Sequence, residues 1–197
     1  MDHQTNLIEQ AKSGCMRAFQ EIVETYSHKS FAVAYRILND QGHAEDCVQE
    51  VFIKIHKNLK TFDRRSKFTT WLYSVSANCA IDMQRKLNRH RNGDDEGLDQ
   101  LPEQINNDPE KLYKHQNLLK STQRALSQLS EEVRVAFVLR HFEDKSIEEI
   151  SQILSVNPNT VKNRIFRGVG RLREIMKPHI GLDESTQLRQ RNPKKGE

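Results

Sequence analysis

Lys57, Lys60, Arg64, Arg65 and Lys67 surround Phe62 and Phe68, and Trp71 follows closely. Cations interleaved with aromatic rings suit stacking on unpaired bases beside a neutralised phosphate backbone, worth about 1–3 kcal/mol per base. Extruding a base from a duplex costs a few kcal/mol. A pocket that captures such a base can therefore offset local opening without ATP. Asn78, Arg85, Lys86, Arg89 and Arg91 continue the set downstream. Packing competes for the rings, and at least one of Phe68 and Trp71 is expected in the core. Lys67, Asn78 and Arg85 are less easily explained that way.

A second set lies between Pro158 and Lys177, where Glu174 is the only acid. Val161, Ile165, Val169 and Leu172 recur at helical spacing as an inward face. Asn159, Thr160, Lys162, Asn163, Arg164, Arg167, Arg171 and Arg173 occupy the other sides. Lys and Arg can pair with phosphates and guanine edges, and Asn can read adenine. Upstream, Ser146 with Glu149 three residues on is a capping box, and the short helix it starts buries Ile147, Ile150, Ile153 and Leu154. Ser155-Val156-Asn157 breaks that helix; Asn157 can cap the next, and Pro158 suits its first position. A short capped helix, a tight turn and a longer basic helix form the layout of a helix-turn-helix that reads the major groove.

A third set is acidic: Glu45, Asp46, Gln49 and Glu50 share one side of a helix whose opposite stripe is Ala44, Cys47, Val48, Val51, Phe52, Ile55 and Leu59. Acids early in a helix suit its dipole and need no partner. Gln49 among them, with Phe52 at the flank, makes a protein interface plausible.

Helices must position all three sets. Leu7, Ile8 and Ala11 predict a first helix ending near Gly14; Phe19, Ile22, Val23 and Tyr26 a second; Phe31, Ala34, Tyr35 and Leu38 a third, followed by a turn at Asn39-Asp40-Gln41-Gly42. The acidic helix comes next. Phe68, Leu72, Val75, Cys79 and Met83 then predict a helix to about Arg91. Leu118, Leu119, Ala125, Leu126 and Leu129 mark another, and Ser130 can cap its successor, which carries Val133, Ala136, Phe137 and Arg140. No alternating strand pattern occurs, so the predicted class is all-α: two small helical domains, 1–91 and 110–178. An acidic, Gly- and Pro-containing linker, 92–109, joins them. The polar tail, 179–197, is expected to be disordered.

The 197 residues carry net charge +4 and pI near 9.0, which favours a polyanionic partner. No apolar run is long enough to cross a membrane, and the first ten residues lack the pattern of a signal peptide. Cys15, Cys47 and Cys79 are far apart, two of them on apolar stripes; they read as small hydrophobes in a reducing cytoplasm, with neither a disulfide nor a metal expected. The eight histidines are scattered, and Glu45-Asp46 and Glu148-Glu149 diverge around their helices rather than converging as acid–base pairs. No Gly-rich phosphate loop occurs. An enzyme is not expected, and no cofactor is called for. A dimeric helix-turn-helix regulator remains the alternative, though the first half lacks the pattern of a parallel-sheet receiver.

AEDCVQEVF, the loop Phe62–Lys67 and FTTWLYSVSANCAIDMQRK together resemble domain two of the sigma-70 family, nearest its small extracytoplasmic-function (ECF, group 4) members. LSEEVRVAFVLRHFEDKSIEEISQILSVNPNTVKNRIFRGVGRLRE resembles their domain four. The likeness covers about residues 16–177. It implies a transcription initiation factor that binds core RNA polymerase through its β′ and β subunits, recognises −35 and −10 promoter elements and promotes melting. Asp46, Gln49, Glu50 and Phe52 would dock on polymerase. Phe62, Arg64, Lys67, Trp71, Asn78 and Arg85 would open the −10 element and hold a flipped base. Asn159, Thr160, Lys162, Asn163, Arg164, Arg167 and Arg171 would read the −35 element. The family likeness also implies a linker entering the polymerase cleft, an anti-sigma partner, and a cytoplasmic location. Cys47, Asn159, Asn163 and Ser151 depart from common family residues; Asn163 lies on the expected reading face.

Overall fold

The computed structural model describes residues 3–63, 66–91 and 121–180. The chain runs through α1 (His3–Lys12), α2 (Met16–Leu38), α3 (Gln41–Asn58), a 3-10 turn (Leu59–Thr61) and α4 (Phe68–Arg91). Residues 121–127 are helical (α5). Then come α6 (Glu131–His141), α7 (Ile147–Leu154) and α8 (Pro158–Ile180). Among the described residues there is no strand. The predicted linker, 92–109, lies outside them, as do most of the predicted tail and the start of the second domain.

Four expectations need correction. The helices predicted around Phe19 and Leu38 are one, α2. Between the two predicted stripes Ser30 is buried, and its hydroxyl meets that of Ser76 on α4 at 3.0 Å. A hydroxyl pair satisfied inside the core lets α2 continue through a polar stretch. Only at Asn39, in the left-handed region at φ 58°, does it end. Asp40 then caps α3, accepting from the His43 amide at 2.7 Å, so α3 begins three residues before Ala44. Ser130 precedes α6 but makes no side-chain cap. The last helix runs through Ile180, past the predicted boundary.

The capping box at Ser146 is present in both directions: the Glu149 amide donates to Ser146 Oγ at 3.1 Å, and the Ser146 amide to Glu149 Oε2 at 2.9 Å. Asn157 Oδ1 accepts from the Asn159 amide at 2.7 Å at the start of α8. Gly168 is required by close approach: a Cβ there would stand 3.1 Å from a Phe137 ring atom and 3.2 Å from Val133. So α8 lies tight on α6.

The apolar stripes predicted for α3 and α4 pack with α2 into a core that includes Ile22, Val33, Ile37, Cys47, Val51, Ile55, Leu72 and Cys79. That core continues into the second half. Val135, Leu139, Ile150, Ile153 and Val161 belong to the same cluster, because α6 lies on α2 and α7 on α4. Two bodies on a tether are expected from the sequence; in the structure they are pressed together. Arg134 of α6 is 8% exposed. It donates to the carbonyls of Ile37 (2.5 Å), Ser127 (2.8 Å) and Leu129 (3.1 Å), thereby gathering carbonyls at helix C-terminal ends from both halves. Burial pulls its pKa below the usual value. Glu143 makes a second joint, accepting from the Tyr73 hydroxyl at 2.8 Å and pairing with Arg36 at 3.5 Å.

Candidate nucleic-acid interface

Trp71, Asn78 and Arg85 are seven residues apart, two helical turns each, so they line one side of α4 over about 21 Å. Asn78 and Arg85 are exposed and Trp71 is half-buried. Phe62 is 8% exposed and Phe68 4%. The Phe62 ring stacks on Trp71 at 5.1 Å between centroids, and Phe68 meets both rings edge-on at 5.8 Å. Phe62 was expected to touch DNA, but its ring serves as the floor on which Trp71 rests. Lys12 Nζ donates to the Phe62 carbonyl at 2.8 Å and pins the loop to α1. Lys67 is exposed at the start of α4; Arg64 lies outside the described residues.

On α8 the buried residues are Val161, Gly168 and Leu172, with Ile165 partly buried beside them. Asn163 and Gly170 lie opposite that stripe, flanked by Asn159, Lys162 and Arg167, all exposed. Thr160 is half-exposed and Arg171 is exposed, bonding Glu174 at 3.3 Å. Arg164 differs from expectation. Its side chain is 17% exposed and turned toward α6, where it bonds Glu132 at 2.5 Å. It sits about 100° around the helix from Asn163, toward the buried side.

The sequence reading passed over Phe166, which is 80% exposed within this stripe. The clue was available: it is a large apolar residue off the inward spacing, among Lys162, Asn163 and Arg167. Apolar side chains at such positions contact thymine methyl groups in the major groove.

On α3, Asp46 and Gln49 are exposed. Glu50 is half-exposed and bonds Lys54 at 2.9 Å, which holds its carboxyl below the usual range. Lys54 also donates to Cys79 Sγ at 3.2 Å, and its pKa is raised, first by Glu50. Phe52 is 6% exposed and belongs to the core, because it falls on the same stripe as Val51 and Ile55. Ile53, 53% exposed, is the apolar residue that shares the outer face with Asp46 and Gln49.

Comparison with known proteins decides what these surfaces belong to. Residues 22–90 match the family profile Sigma-70 region 2, and residues 119–172 match Sigma-70, region 4. The chain is 34% identical over 178 residues to the ECF RNA polymerase sigma factor SigW of Bacillus subtilis, covering 86% of this chain and 95% of that one. The chain belongs to the sigma-70 family, among its ECF sigma factors. The Escherichia coli ECF RNA polymerase sigma-E factor is 32% identical over 169 residues, covering 82% of this chain and 87% of that one. Two solved structures share the fold at 24% identity. CnrH in complex with the cytosolic domain of CnrY gives a TM-score of 0.66, covering 90% of this chain and 99% of that one. The sigma factor RpoE in complex with the anti-sigma factor NepR, from Bartonella quintana, gives 0.64, covering 81% and 96%. With both sigma regions in order, this sigma factor is a transcription initiation factor, and the dimeric regulator is not favoured. Among the described residues no helix is long and apolar enough to cross a membrane.

Proposed function

We propose that this sigma factor divides its work among three surfaces. Asp46 and Gln49, with Glu50 beside them, dock on core RNA polymerase, and Ile53 supplies the apolar contact expected of Phe52. Trp71, Asn78, Arg85 and Lys67 handle the opened −10 strand: Trp71 stacks on an extruded base, and the cations neutralise its backbone. Asn159, Lys162, Asn163, Arg167 and Arg171 enter the major groove at the −35 element, with Thr160 at the edge. Arg164 supports them from behind, through Glu132. The domains are 1–91 and 110–178, joined by the acidic stretch 92–109. The role is non-enzymatic: stacking and phosphate contacts pay for opening, and the chemistry belongs to the polymerase. The site of action is the cytoplasm, and an anti-sigma protein is a partner, as it is for the RpoE relative.

The observation that carries this reading is the outward stripe of α8, polar and cationic apart from Phe166 and Gly170 and backed by a capped helix-turn-helix. Run-off transcription with purified bacterial core polymerase on a promoter library tests it. Asp46→Ala or Gln49→Ala should weaken association with polymerase. Arg167→Ala should cost promoter affinity and leave association intact. If both kinds of change lowered the same step, the division would be wrong.

A further inference from the structure

Trp71 is the one tryptophan of the chain, and both rings it rests on are tied to α1. The Phe62 carbonyl accepts from Lys12 Nζ at 2.8 Å. The Phe68 ring packs on that of Tyr26 at 5.4 Å between centroids, and the Tyr26 hydroxyl accepts from Gln4 Nε2. Gln4 lies in the first turn of α1 and Lys12 in the last, about 12 Å apart along the axis. Between them Leu7 and Ile8 are buried in the core. A helix anchored at its middle thus grips the aromatic stack at two points.

The grip at Lys12 is the stronger. Its side chain is 22% exposed and spans to a carbonyl fifty residues away, while Glu9, one turn back, stands 3.5 Å off and balances the charge. A charged donor makes a stronger hydrogen bond than a neutral one. It also fixes main chain rather than side chain. The Phe62 amide donates to the Leu59 carbonyl at 3.1 Å, so both polar groups of this residue are held where the chain leaves the 3-10 turn. A residue fixed in this way holds its ring at a set angle. Stacking rewards a set angle, because a ring free to tilt must be ordered when its partner arrives.

We propose that Lys12 is a positioning residue for the −10 step: from α1 it holds the Phe62 peptide, sets the attitude of the Trp71 platform above it, and so governs how well an extruded base is captured. Gln4 does the same, more weakly, through Tyr26 and Phe68. Neither side chain has to touch DNA. The role rests on the reading of Trp71 as the base-stacking ring.

Two measurements on the full chain test it. In the free chain, emission comes from Trp71 alone. Lys12→Met keeps the aliphatic stem and removes the donor. It should make Trp71 more readily quenched by acrylamide, with helicity by circular dichroism unchanged, and Lys12→Arg, which can still donate to the carbonyl, should restore the wild-type value. With core polymerase bound, the probe is a fluorescent single strand carrying the −10 non-template sequence of a promoter selected by that holoenzyme. Lys12→Met should weaken its binding about three- to tenfold, the worth of one net hydrogen bond, and Lys12→Arg should recover it. A scrambled strand and a −35 duplex should bind as before. Gln4→Ala, which changes no charge, should move both readings the same way by about twofold; should Lys12→Met not fold, this variant decides. Unchanged quenching and unchanged −10 binding would overturn the role. So would an equal loss on the scrambled strand, which is a plain loss of charge, or a loss that Lys12→Arg leaves unrepaired. If Trp71→Ala bound the −10 strand as tightly as wild type, the reading of Trp71 would fail instead, and Lys12→Met would then alter quenching without altering binding.

Discussion

The surfaces on α4 and α8 are built on opposite plans. On α4 the aromatic rings are packed on one another, with Phe62 and Phe68 nearly buried and only Trp71 partly open. On α8 Asn159, Lys162, Asn163 and Arg167 are exposed to solvent, with an uncovered phenyl ring among them. A groove reader meets a duplex whose edges are already displayed, so its contacts can be exposed beforehand. A strand-opening surface must bind something that does not exist until the duplex yields. On the proposed reading the Trp71 ring is held ready by Phe62 and Phe68, so little ordering is left to do when the base arrives.

The contrast can be attacked at either end. The largest effect is expected from Trp71→Ala, which removes the stacking partner and should lower open-complex formation by about 5- to 150-fold, equivalent to 1–3 kcal/mol. Permanganate footprinting of unpaired thymines measures it, and −35 duplex binding should be unchanged. Asn163→Ala, at the centre of the outward stripe, should cost about 1–3 kcal/mol at one −35 base pair and spare promoters that are already melted. Phe166→Ala should cost about 1 kcal/mol, close to one buried methyl group. Replacing thymine by uracil at the contacted step should weaken wild type and leave the variant indifferent, read by competition binding. Ser146→Ala should lower stability by about 1 kcal/mol through the lost cap, seen as a lower melting temperature.

The smallest effect concerns the thiols. Burial first, then the charge of Cys79, pushes the Cys47 thiol up to about 12, and burial also raises Cys79. Both stay protonated and shielded at neutral pH, whereas Cys15 is exposed. Alkylation of the folded chain at pH 8 should label Cys15 and leave the α3–α4 pair untouched, as peptide mass mapping would show. Initiation should not change.

Much of this was readable in the residues. The stripe of α3, the capping box at Ser146 and Asn157-Pro158 at the head of α8 are local patterns with local causes, and each is present in the structure. The errors arose where the deciding contact is distant in sequence. The stripes around Phe19 and Leu38 look like two helices until Ser76, 46 residues from Ser30, is placed against it inside the core. Phe52 looks like a flanking docking residue until the core claims it and leaves Ile53 outside. Arg164 counts as one more groove cation until α6 presents Glu132. Arg134, in a charged helix start, gives no sign that it will lie under the carbonyls of two other helices. Periodicity shows which side of a helix is apolar, but not which neighbour covers its margins.

Gly168 carries a last implication. With no side chain there, α8 is seated directly on Phe137 and Val133, and α6 in turn holds Arg134 and Glu131 at the seam. The reader and the seam therefore share one shaft. On the proposed reading, promoter preference can drift among descendants at Asn159, Asn163 or Phe166, which stand exposed on the outer side of α8, whereas any change that tilts α8 as a whole would disturb its seat on α6 along with its grammar.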